Sequence, residues 1–505
     1  MEPDRRIGVR VLAANTLAFT ICFAVWMMNG VLVTHLVDTQ TFTFDKAQFG
    51  WLIGIPVLTG SILRLPVGIL TDRYGGRRIF TGVMLISAPF CWLVGETDSF
   101  AGLAWASLGF GVSGTSFAVG IAYSALFFPR ERQGTALGIF GAGNAGAGLT
   151  SLMAPSLLRV LTNDGANPEG WRALPKIYAG VLALTAVLFW FTTVERRDET
   201  AGRKTLRQNL APLGNMRVWR FGLYYFLVFG GFVALSQWLI PYYVSVYAVS
   251  VALAGLLASI FTFPSGIIRA LGGYLSDRFG ARTVMYWVLG GCAVLATMLI
   301  VPRMDIHANG EGVLAPAAGV VESVSATAIV VSGKVLPLRP RAETARPSYD
   351  NETLVWPTAE TWQEPVVKAG DTVVKRQLLA RGVSHIYFQA NIWIFTAIAC
   401  AIGLLMGIGK AAVYKHIPEY FPHDVGVVGG IVGVLGGLGG FVCPILFGYL
   451  LRGSGLWTTA WMFLALLSAV SLVWMHLVVR RMVARHAPHV AEALEHPQPG
   501  SENHP

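Results

Sequence analysis

The chain has 505 residues, of which 54% are hydrophobic and only 13% are charged, and its formal net charge is +10. Soluble globular domains carry about 25% charged residues, so the composition indicates a membrane protein rather than a soluble domain. The positive charge lies mainly in short loops between apolar segments, a distribution that orients a membrane protein and requires no nucleic acid as a partner.

Twelve apolar segments are each long enough, at about 20 residues, to cross the hydrocarbon core of a bilayer as a helix. In chain order they cover residues 11–36, 47–71, 79–95, 100–128, 134–158, 173–193, 218–247, 251–275, 283–302, 391–417, 425–451 and 457–479. A basic segment, residues 194–217, divides them six and six. The sequence therefore predicts an all-α membrane fold of twelve transmembrane helices in two pseudo-symmetric six-helix halves.

The predicted organisation has six parts. They are the N-terminal half (1–193), a cytoplasmic linker (194–217), the first part of the C-terminal half (218–302), an external insert (303–390), the remainder of that half (391–485) and a tail (486–505). The tail is polar and rich in proline, which predicts disorder.

The basic residues of the short loops predict the orientation in the membrane. Most of them, such as Arg77 and Arg282, lie on one side, whereas the short loops of the other side hold Lys46, Arg159 and Arg172. By the positive-inside rule, both termini and the linker face the cytoplasm. The first apolar run is long enough to span and follows a polar start, so no cleavable leader is expected. We expect a monomer in the bacterial inner (plasma) membrane.

Residues 303–390 interrupt the second half between predicted helices nine and ten, which places them outside. They are rich in Val, Pro, Gly and Thr, as short strands and turns require, and predict a small β-rich module. Within it, residues 366–382 resemble the hairpin of biotinyl/lipoyl-like domains, with Gly370-Asp371 as the turn. A carrier domain needs a modifiable lysine in a Met-Lys-Met or Asp-Lys-Ala setting. The lysines of this module lack that setting: Lys334, Lys368 and Lys375.

Two arginines stand alone in apolar spans, and each lies eight residues before an Asp-Arg pair. Arg64 occurs in LRLPVGILTDRYGGRR and Arg269 in IIRALGGYLSDRFGAR. Eight residues of helix rise about 12 Å, which brings each arginine close to the bilayer midplane. A buried charge there is costly and rarely accidental. Because the two depths match, we expect both guanidinium groups to converge on one small anion, and their planar forks suit a planar oxoanion.

The loops that follow the arginines repeat one pattern, Gly-x-x-x-Asp-Arg-x-Gly-x-Arg. On a twelve-span chain, two such loops in register resemble those of the major facilitator superfamily. Their charges can pair with a neighbouring helix end and act as a breakable latch between states. The predicted latch residues are Asp72, Arg73, Asp277 and Arg278.

Glycine is dense in the fifth and eleventh spans, which lets helix backbones approach closely. The fifth reads GIFGAGNAGAG and the eleventh GGIVGVLGGLGG; Asn144 is the polar exception and can donate to an anion. Together with one arginine in each of spans two and eight, these runs resemble the nitrate/nitrite porter family. The resemblance implies transport of nitrate and nitrite, with the anion clamped by the arginines, sandwiched by aromatic rings and hydrogen-bonded by a tyrosine and the asparagine. Carried over, the binding residues are Arg64, Arg269, Asn144, Tyr225 and Phe229, with Phe23 and Phe117 as further ring partners.

The spans contain no Asp or Glu away from their ends, so the carboxylate usual in proton symporters is missing. Two facing arginines repel when no anion lies between them, which favours nitrate/nitrite exchange. Lys410 lies at a depth similar to the arginines and could titrate instead, which leaves proton-coupled uptake open. A small-carboxylate exchanger of the same superfamily, and a docking protein with a vestigial transport site, are also compatible with the sequence.

An enzyme is not expected, since no nucleophile, base or metal cluster is evident, and no cofactor or metal is predicted. The five cysteines fall in apolar spans and are expected to be small packing residues. Five histidines at span ends or in loops are predicted to be surface residues: His35, His385, His416, His423 and His476.

Overall fold

The structure is a computed structural model, and it describes residues 2–196, 210–301, 304–341, 358–421 and 425–486. Most of the predicted linker 194–217, nearly all of the predicted tail 486–505 and His423 lie outside the described residues. The chain divides into two compact units, residues 1–300 with 396–505 and residues 301–395.

The first unit is helical, and its long helical segments are numbered α1 to α12 in chain order. They are α1 (Arg6–Asp38), α2 (Lys46–Tyr74), α3 (Gly76–Val94), α4 (Phe100–Ala125), α5 (Arg130–Gly141, Ala142–Ala145 and Gly146–Leu161), α6 (Pro168–Thr192), α7 (Met216–Tyr247), α8 (Val251–Ile267 and Arg269–Phe279), α9 (Ala281–Met298), α10 (Ile392–Tyr420), α11 (Val425–Ser454) and α12 (Thr459–His486).

Among the described residues, ten helices are long and apolar enough to cross a membrane, and eleven if the two parts of α8, bent by 47°, count as one span. These helices indicate a multi-pass membrane protein. The twelve predicted spans are not all recovered, because α5 is not among them. Its glycine run and Asn144 lower its hydropathy, and a 3₁₀ turn at Ala142–Ala145 divides it. Small and polar residues at a helix crossing therefore weaken the signal on which length and hydropathy depend.

Glycines bring two pairs of helices from opposite halves into backbone contact. In α2, a Cβ at Gly50 would lie 2.4 Å from the Pro444 carbonyl oxygen of α11. In α8, a Cβ at Gly255 would lie 2.2 Å from the Ser151 carbonyl oxygen of α5. No side chain fits at such distances, so these crossings require glycine. Each of the pairs α2–α11 and α5–α8 thus joins one helix of the N-terminal half to one helix of the C-terminal half through a glycine.

The described residues of the second unit form seven strands: β1 (Met304–Leu314), β2 (Gly319–Val324), β3 (Ala328–Val331), β4 (Lys334–Pro337), β5 (Thr358–Pro365), β6 (Thr372–Val373) and β7 (Leu378–Phe388). They form two antiparallel sheets in the orders β1-β7-β5 and β4-β3-β2-β6. In the first sheet Met304 pairs with Phe388 at one end and Leu314 with Leu378 at the other. The buried core of the unit includes Val321, Ile329, Val373 and Leu379.

The segment 366–382, predicted to resemble a biotinyl/lipoyl-like hairpin, contains the expected turn at Gly370-Asp371. Gly370 has a φ of +96°, and the Lys368 amide donates to the Asp371 carboxylate over 2.7 Å. The strand that follows, β6, pairs with β2, Gly319 opposite Val373. The segment before the turn follows β5 directly, and its Val366 amide donates to the Leu379 carbonyl of β7 over 2.9 Å.

Candidate anion-binding site

Several helices lose regular α geometry where they meet at the middle of the first unit. Residues Gly111–Thr115 of α4 and Ala142–Ala145 of α5 form 3₁₀ turns, and Phe226–Gly231 of α7 forms a π-helical turn. Helices α2 and α8 break at Leu63 and Ile268, one residue before each arginine. Such breaks are tolerated inside a membrane only where the backbone is buried in protein or lines a cavity. The candidate site is built from these turns.

Arg64 is 3% exposed and reaches from α2 towards α11. Its Nη1 donates to the Gly433 carbonyl over 3.0 Å, and its Nε donates to the Gly114 carbonyl over 3.4 Å. Its Nη2 is buried and has no hydrogen-bond partner. The guanidinium carbon lies 5.0 Å from the centre of the Phe229 ring and 5.4 Å from that of Trp26. One face of the guanidinium is therefore held by carbonyls and rings, and one nitrogen is left for a ligand.

Arg269 stands at the equivalent place in the other half. Its side chain passes Gly141 of α5, where a Cβ would lie 3.3 Å from the arginine Cδ. The Nη1 of Arg269 is also buried and without a hydrogen-bond partner. Both arginines lie against one ring: the Phe117 centroid is 5.2 Å from the Arg269 guanidinium carbon and 5.6 Å from that of Arg64. The structure thus brings the two predicted arginines together, and neither forms an ion pair within the described part of the chain.

Two further predicted residues contribute polar atoms that have no protein partner. Asn144 is 0% exposed, and neither its amide nitrogen nor its oxygen makes a hydrogen bond. Tyr225 is 0% exposed, and its hydroxyl makes none. A buried polar group without a partner costs about 1–3 kcal/mol. Two such groups beside two unpaired guanidinium nitrogens indicate a site built for a ligand that supplies acceptors.

The predicted rings differ in their relation to the arginines. Phe117 and Phe229 stack with centroids 6.3 Å apart and planes inclined by 24°, and Phe229 also stacks on Tyr225 at 5.0 Å. Phe23 is buried one ring further away, where its centroid lies 5.4 Å from that of Trp26. Phe117 and Phe229 are therefore at the site, and Phe23 supports it from behind.

Sequence reasoning missed three contributors to the site. Trp26 lies over Arg64, and its indole nitrogen donates to the Pro56 carbonyl over 2.8 Å. Tyr414 lies 5.6 Å from the Arg269 guanidinium carbon and packs edge-on against Tyr225. The Gly433 carbonyl accepts from Arg64. The glycine run of α11 could have suggested the carbonyl, but no local pattern distinguishes these two rings from the chain's other aromatic residues.

Lys410 is 0% exposed and lies beside the site. Its Nζ is 3.1 Å from the centre of the Phe232 ring and 3.4 Å from the Ser265 hydroxyl. Within the described residues no carboxylate forms an ion pair with it. The side chain therefore does not reach the surface.

The predicted latch residues lie away from the arginines and are exposed. The Asp277 carboxylate pairs with the Lys415 ammonium of α10 over 2.5 Å, and Arg278 donates to the Tyr274 hydroxyl over 3.3 Å. Arg73 lies 5.4 Å from the Tyr74 ring, and Asp72 is exposed.

Two histidine predictions were wrong. His416 is 5% exposed and His385 is 4% exposed, whereas His476 is exposed as predicted. His416 packs flat on Phe221, with the ring planes 5° apart, and His385 stacks on His307 in the β-sheet. A position near a span end does not determine burial, because a neighbouring helix can cover it.

Chemically, the site offers two permanent cations, an amide that can donate or accept, a hydroxyl and aromatic faces, and no carboxylate of the described residues pairs with its cations. The described residues hold no group of His, Cys, Asp and Glu side chains suited to a metal ion. The arrangement is suited to holding a small anion by charge and hydrogen bonds.

Comparison with known proteins agrees with this chemistry. The family model of the Major Facilitator Superfamily matches residues 15–338 and 378–500. The probable nitrate/nitrite antiporter NarK1 of Thermus thermophilus is 38% identical over 500 residues, covering 98% of this chain and 97% of that protein. The nitrite extrusion protein of Bacillus subtilis is 24% identical, covering 92% and 94%.

Among solved structures, a bacterial homolog to the human lysosomal transporter Spinster, in an inward-facing and occupied conformation, superposes with a TM-score of 0.60. The two chains are 16% identical, and the match covers 93% of this chain and 96% of the other. At that identity the likeness concerns the fold alone.

Proposed function

Because the chain belongs to the nitrate/nitrite porter family of the major facilitator superfamily, we propose that it exchanges nitrate for nitrite across the bacterial plasma membrane. The two six-helix halves carry the anion by alternating access, with Arg64 and Arg269 as its clamp. The full count of twelve spans, cytoplasmic termini and an external insert are parts of the same proposal.

The proposal rests on one observation above all: an arginine from each half lies against the Phe117 ring, and each has a buried guanidinium nitrogen without a partner. A planar anion with two or three oxygens can accept from both forks at once. Asn144 and Tyr225 supply further unpaired donors. Nitrate and nitrite are planar and have this number of oxygens.

Exchange is favoured by the charge balance of the site. With no anion bound, Arg64 and nearby Lys410 are buried, Arg269 is half-buried, and none of the three has a carboxylate in ion-pair range among the described residues. Changing state then moves uncompensated charge through a low-dielectric interior, which is costly. A bound anion offsets that charge in both directions of the cycle. The anion-bound carrier therefore changes state more readily than the empty one, which is the condition for exchange.

The test is nitrate uptake into liposomes that contain the purified protein. Uptake is measured with nitrite trapped inside, and separately into empty vesicles with an imposed inward proton gradient. Exchange predicts uptake only with internal nitrite. The variant Arg269→Lys keeps the charge but loses the fork, so its uptake should fall by at least about tenfold. The control Arg159→Lys changes an arginine whose pair with Asp164 is exposed and lies within one half, and it should transport normally.

Proton-coupled nitrate uptake is the second candidate, and Lys410 is the observation that favours it. It is the one buried ammonium beside the clamp in the described part of the chain, and only a ring and a hydroxyl contact it. In this mechanism uptake into empty vesicles follows the proton gradient, and Lys410→Met abolishes that dependence. If Lys410→Met leaves the pH dependence of transport unchanged, Lys410 has no part in coupling.

A small-carboxylate exchanger remains the alternative substrate assignment. Competition by formate, acetate and nitrite against nitrate uptake distinguishes the two. A nitrate porter should be inhibited by nitrite and hardly by acetate. Acetate carries a methyl group where nitrate has its third oxygen, and a methyl group cannot accept a hydrogen bond from either guanidinium. Strong inhibition by acetate without nitrate transport would support the carboxylate exchanger.

A further inference from the structure

A second basic hollow lies between the ends of α7, α9, α10 and α12, away from the clamp. Its polar lining comes from Arg220, Tyr224, Arg282, His416 and Tyr420. Its apolar wall comes from α12, chiefly Met475, Val478 and Val479. By the predicted orientation this hollow opens at the cytoplasmic end of the C-terminal half.

The two arginines of this hollow have no carboxylate partner among the described residues. Arg220 is only 9% exposed, and its guanidinium carbon lies 5.7 Å from the Phe221 ring. Arg282 donates to the Tyr420 hydroxyl over 2.9 Å. Arg217 and Arg282 both lie close enough to Arg220 to repel its charge. Three cations gathered at the end of a membrane helix make an anion favourable there.

Two unpaired polar atoms also line the hollow. The Tyr224 hydroxyl is buried without a hydrogen-bond partner in a side chain that is 2% exposed. The Nδ1 of His416 is likewise buried without a hydrogen bond. The carboxylate beside them, that of Glu419, is 3.7 Å from that Nδ1, too far for a hydrogen bond, and its side chain is 49% exposed. The Tyr224 hydroxyl is therefore left for a ligand with acceptor oxygens.

The corresponding end of the N-terminal half is arranged differently. Arg77, the counterpart of Arg282 in the repeated loop, lies over Trp190. There the Glu195 carboxylate, 24% exposed, lies 3.7 Å from Arg78. Among the described residues, the N-terminal half thus places a carboxylate beside its cations, whereas Arg220 and Arg282 of the C-terminal half pair with none. The repeat alone does not account for the hollow.

We propose that the hollow lined by Arg220, Tyr224 and Arg282 is a second anion site, which binds a phosphate-type oxyanion. Two guanidinium groups and a tyrosine hydroxyl can donate to three or four oxygens of one such group. Two sources share this chemistry. One is the headgroup phosphate of an anionic phospholipid, whose acyl chain would follow the apolar wall on α12, and the other is free phosphate from the cytosol.

The two sources are separated by placing the purified full-length protein in nanodiscs. One set contains phosphatidylglycerol in phosphatidylcholine, and the other contains phosphatidylcholine alone with inorganic phosphate added to the buffer. Thermal unfolding measures how far each ligand raises the unfolding temperature of the protein. Native mass spectrometry gives the number of phosphatidylglycerol molecules that the protein retains. Stabilisation by phosphatidylglycerol identifies a lipid site, and stabilisation by phosphate in phosphatidylcholine identifies a site for the free ion.

Two variants test the residues. Arg220→Gln removes a buried cation, and Tyr224→Phe removes only the hydroxyl while keeping the ring, so it should fold even if Arg220→Gln does not. Each variant is expected to bind the ligand that stabilises the wild type about tenfold more weakly. That is the effect of losing one hydrogen bond to a charged group. The control Arg78→Gln removes a cation from the same predicted face in the other half and should leave the response unchanged. Equal responses of the wild type, Tyr224→Phe and Arg78→Gln to both ligands would overturn the proposal.

Discussion

Individual residues of the proposed site leave buried polar atoms unpaired, which lowers the stability of the protein without a ligand. The chain pairs the amide of another buried asparagine: Asn29, 2% exposed, donates to the Leu52 carbonyl over 2.7 Å and to the Ser107 hydroxyl over 2.9 Å. Asn144, equally buried, makes no hydrogen bond. The paired amide of Asn29 therefore has a structural role, whereas the unpaired amide of Asn144 is the one proposed to bind the anion.

Asn144→Ala should therefore leave the anion-free protein as stable as the wild type or more stable. The substitution removes an unpaired buried amide, which costs about 1–3 kcal/mol of stability, and it introduces a better helix former. Its affinity for nitrate should nevertheless fall by about tenfold, because one donor is lost. Both effects are measured by thermal unfolding with and without nitrate.

Asn29→Ala is the matched control for this pair of effects. It breaks two hydrogen bonds in the interior, so the anion-free protein should unfold at a lower temperature while its stabilisation by nitrate persists. An unchanged nitrate response in Asn144→Ala would remove this residue from the proposed site.

At the residue scale, the sequence identifies the charged members of the site better than the aromatic ones. Arg64 and Arg269 are conspicuous because charge is rare within apolar spans. Trp26 and Tyr414 are not, because the chain has 15 Trp and 15 Tyr residues, and only tertiary packing determines which of them face a cation. The same limit explains Phe23, which lies behind Trp26 rather than against an arginine.

At the scale of helices, the site lies where regular helical geometry ends. The turn before Arg64 has a visible cause, since Pro66 cannot donate a hydrogen bond and its ring displaces the carbonyl four residues earlier. The break before Arg269 has no proline at the corresponding place, where Leu271 stands. Sequence therefore predicts one of the two breaks. The other, and the π turn around Phe229, depend on packing between helices.

The glycine crossings lead to a prediction about helix packing. Gly50→Ala adds a Cβ that would lie 2.4 Å from a backbone oxygen of α11, so a backbone must shift, at a cost of about 1–3 kcal/mol. Gly68→Ala lies in the same helix, and nothing is within 4 Å of its added Cβ. This second change should be neutral or stabilising by about 0.5–1 kcal/mol, since alanine is the better helix former.

Thermal unfolding of the two variants in the same detergent tests this difference. A lower unfolding temperature for Gly50→Ala together with an unchanged or higher one for Gly68→Ala supports the crossing. Equal unfolding temperatures would mean that α2 and α11 are not in backbone contact.

For the helical unit as a whole, contacts between the halves are present at the end predicted to face outside. Arg452 of α11 lies 3.5 Å from Asp45 before α2, and Lys46 lies over Trp457. An exposed ion pair contributes only about 0.2–1 kcal/mol. Contacts of this strength can be broken in each cycle, as alternating access requires.

A covalent link across this end should therefore stop transport, whereas a link within one half should not. The pair Asp45→Cys and Arg452→Cys joins the halves. The pair Glu96→Cys and Lys176→Cys replaces a 2.7 Å ion pair inside the N-terminal half, at the same predicted end.

Both variants are made in a background without the five native cysteines and treated with a cleavable bifunctional maleimide. Nitrate uptake should be lost in the first variant and return on cleavage, and it should persist throughout in the second. Uptake that survives the link in the first variant would mean that the halves need not separate at this end, and would contradict alternating access by movement of one half against the other.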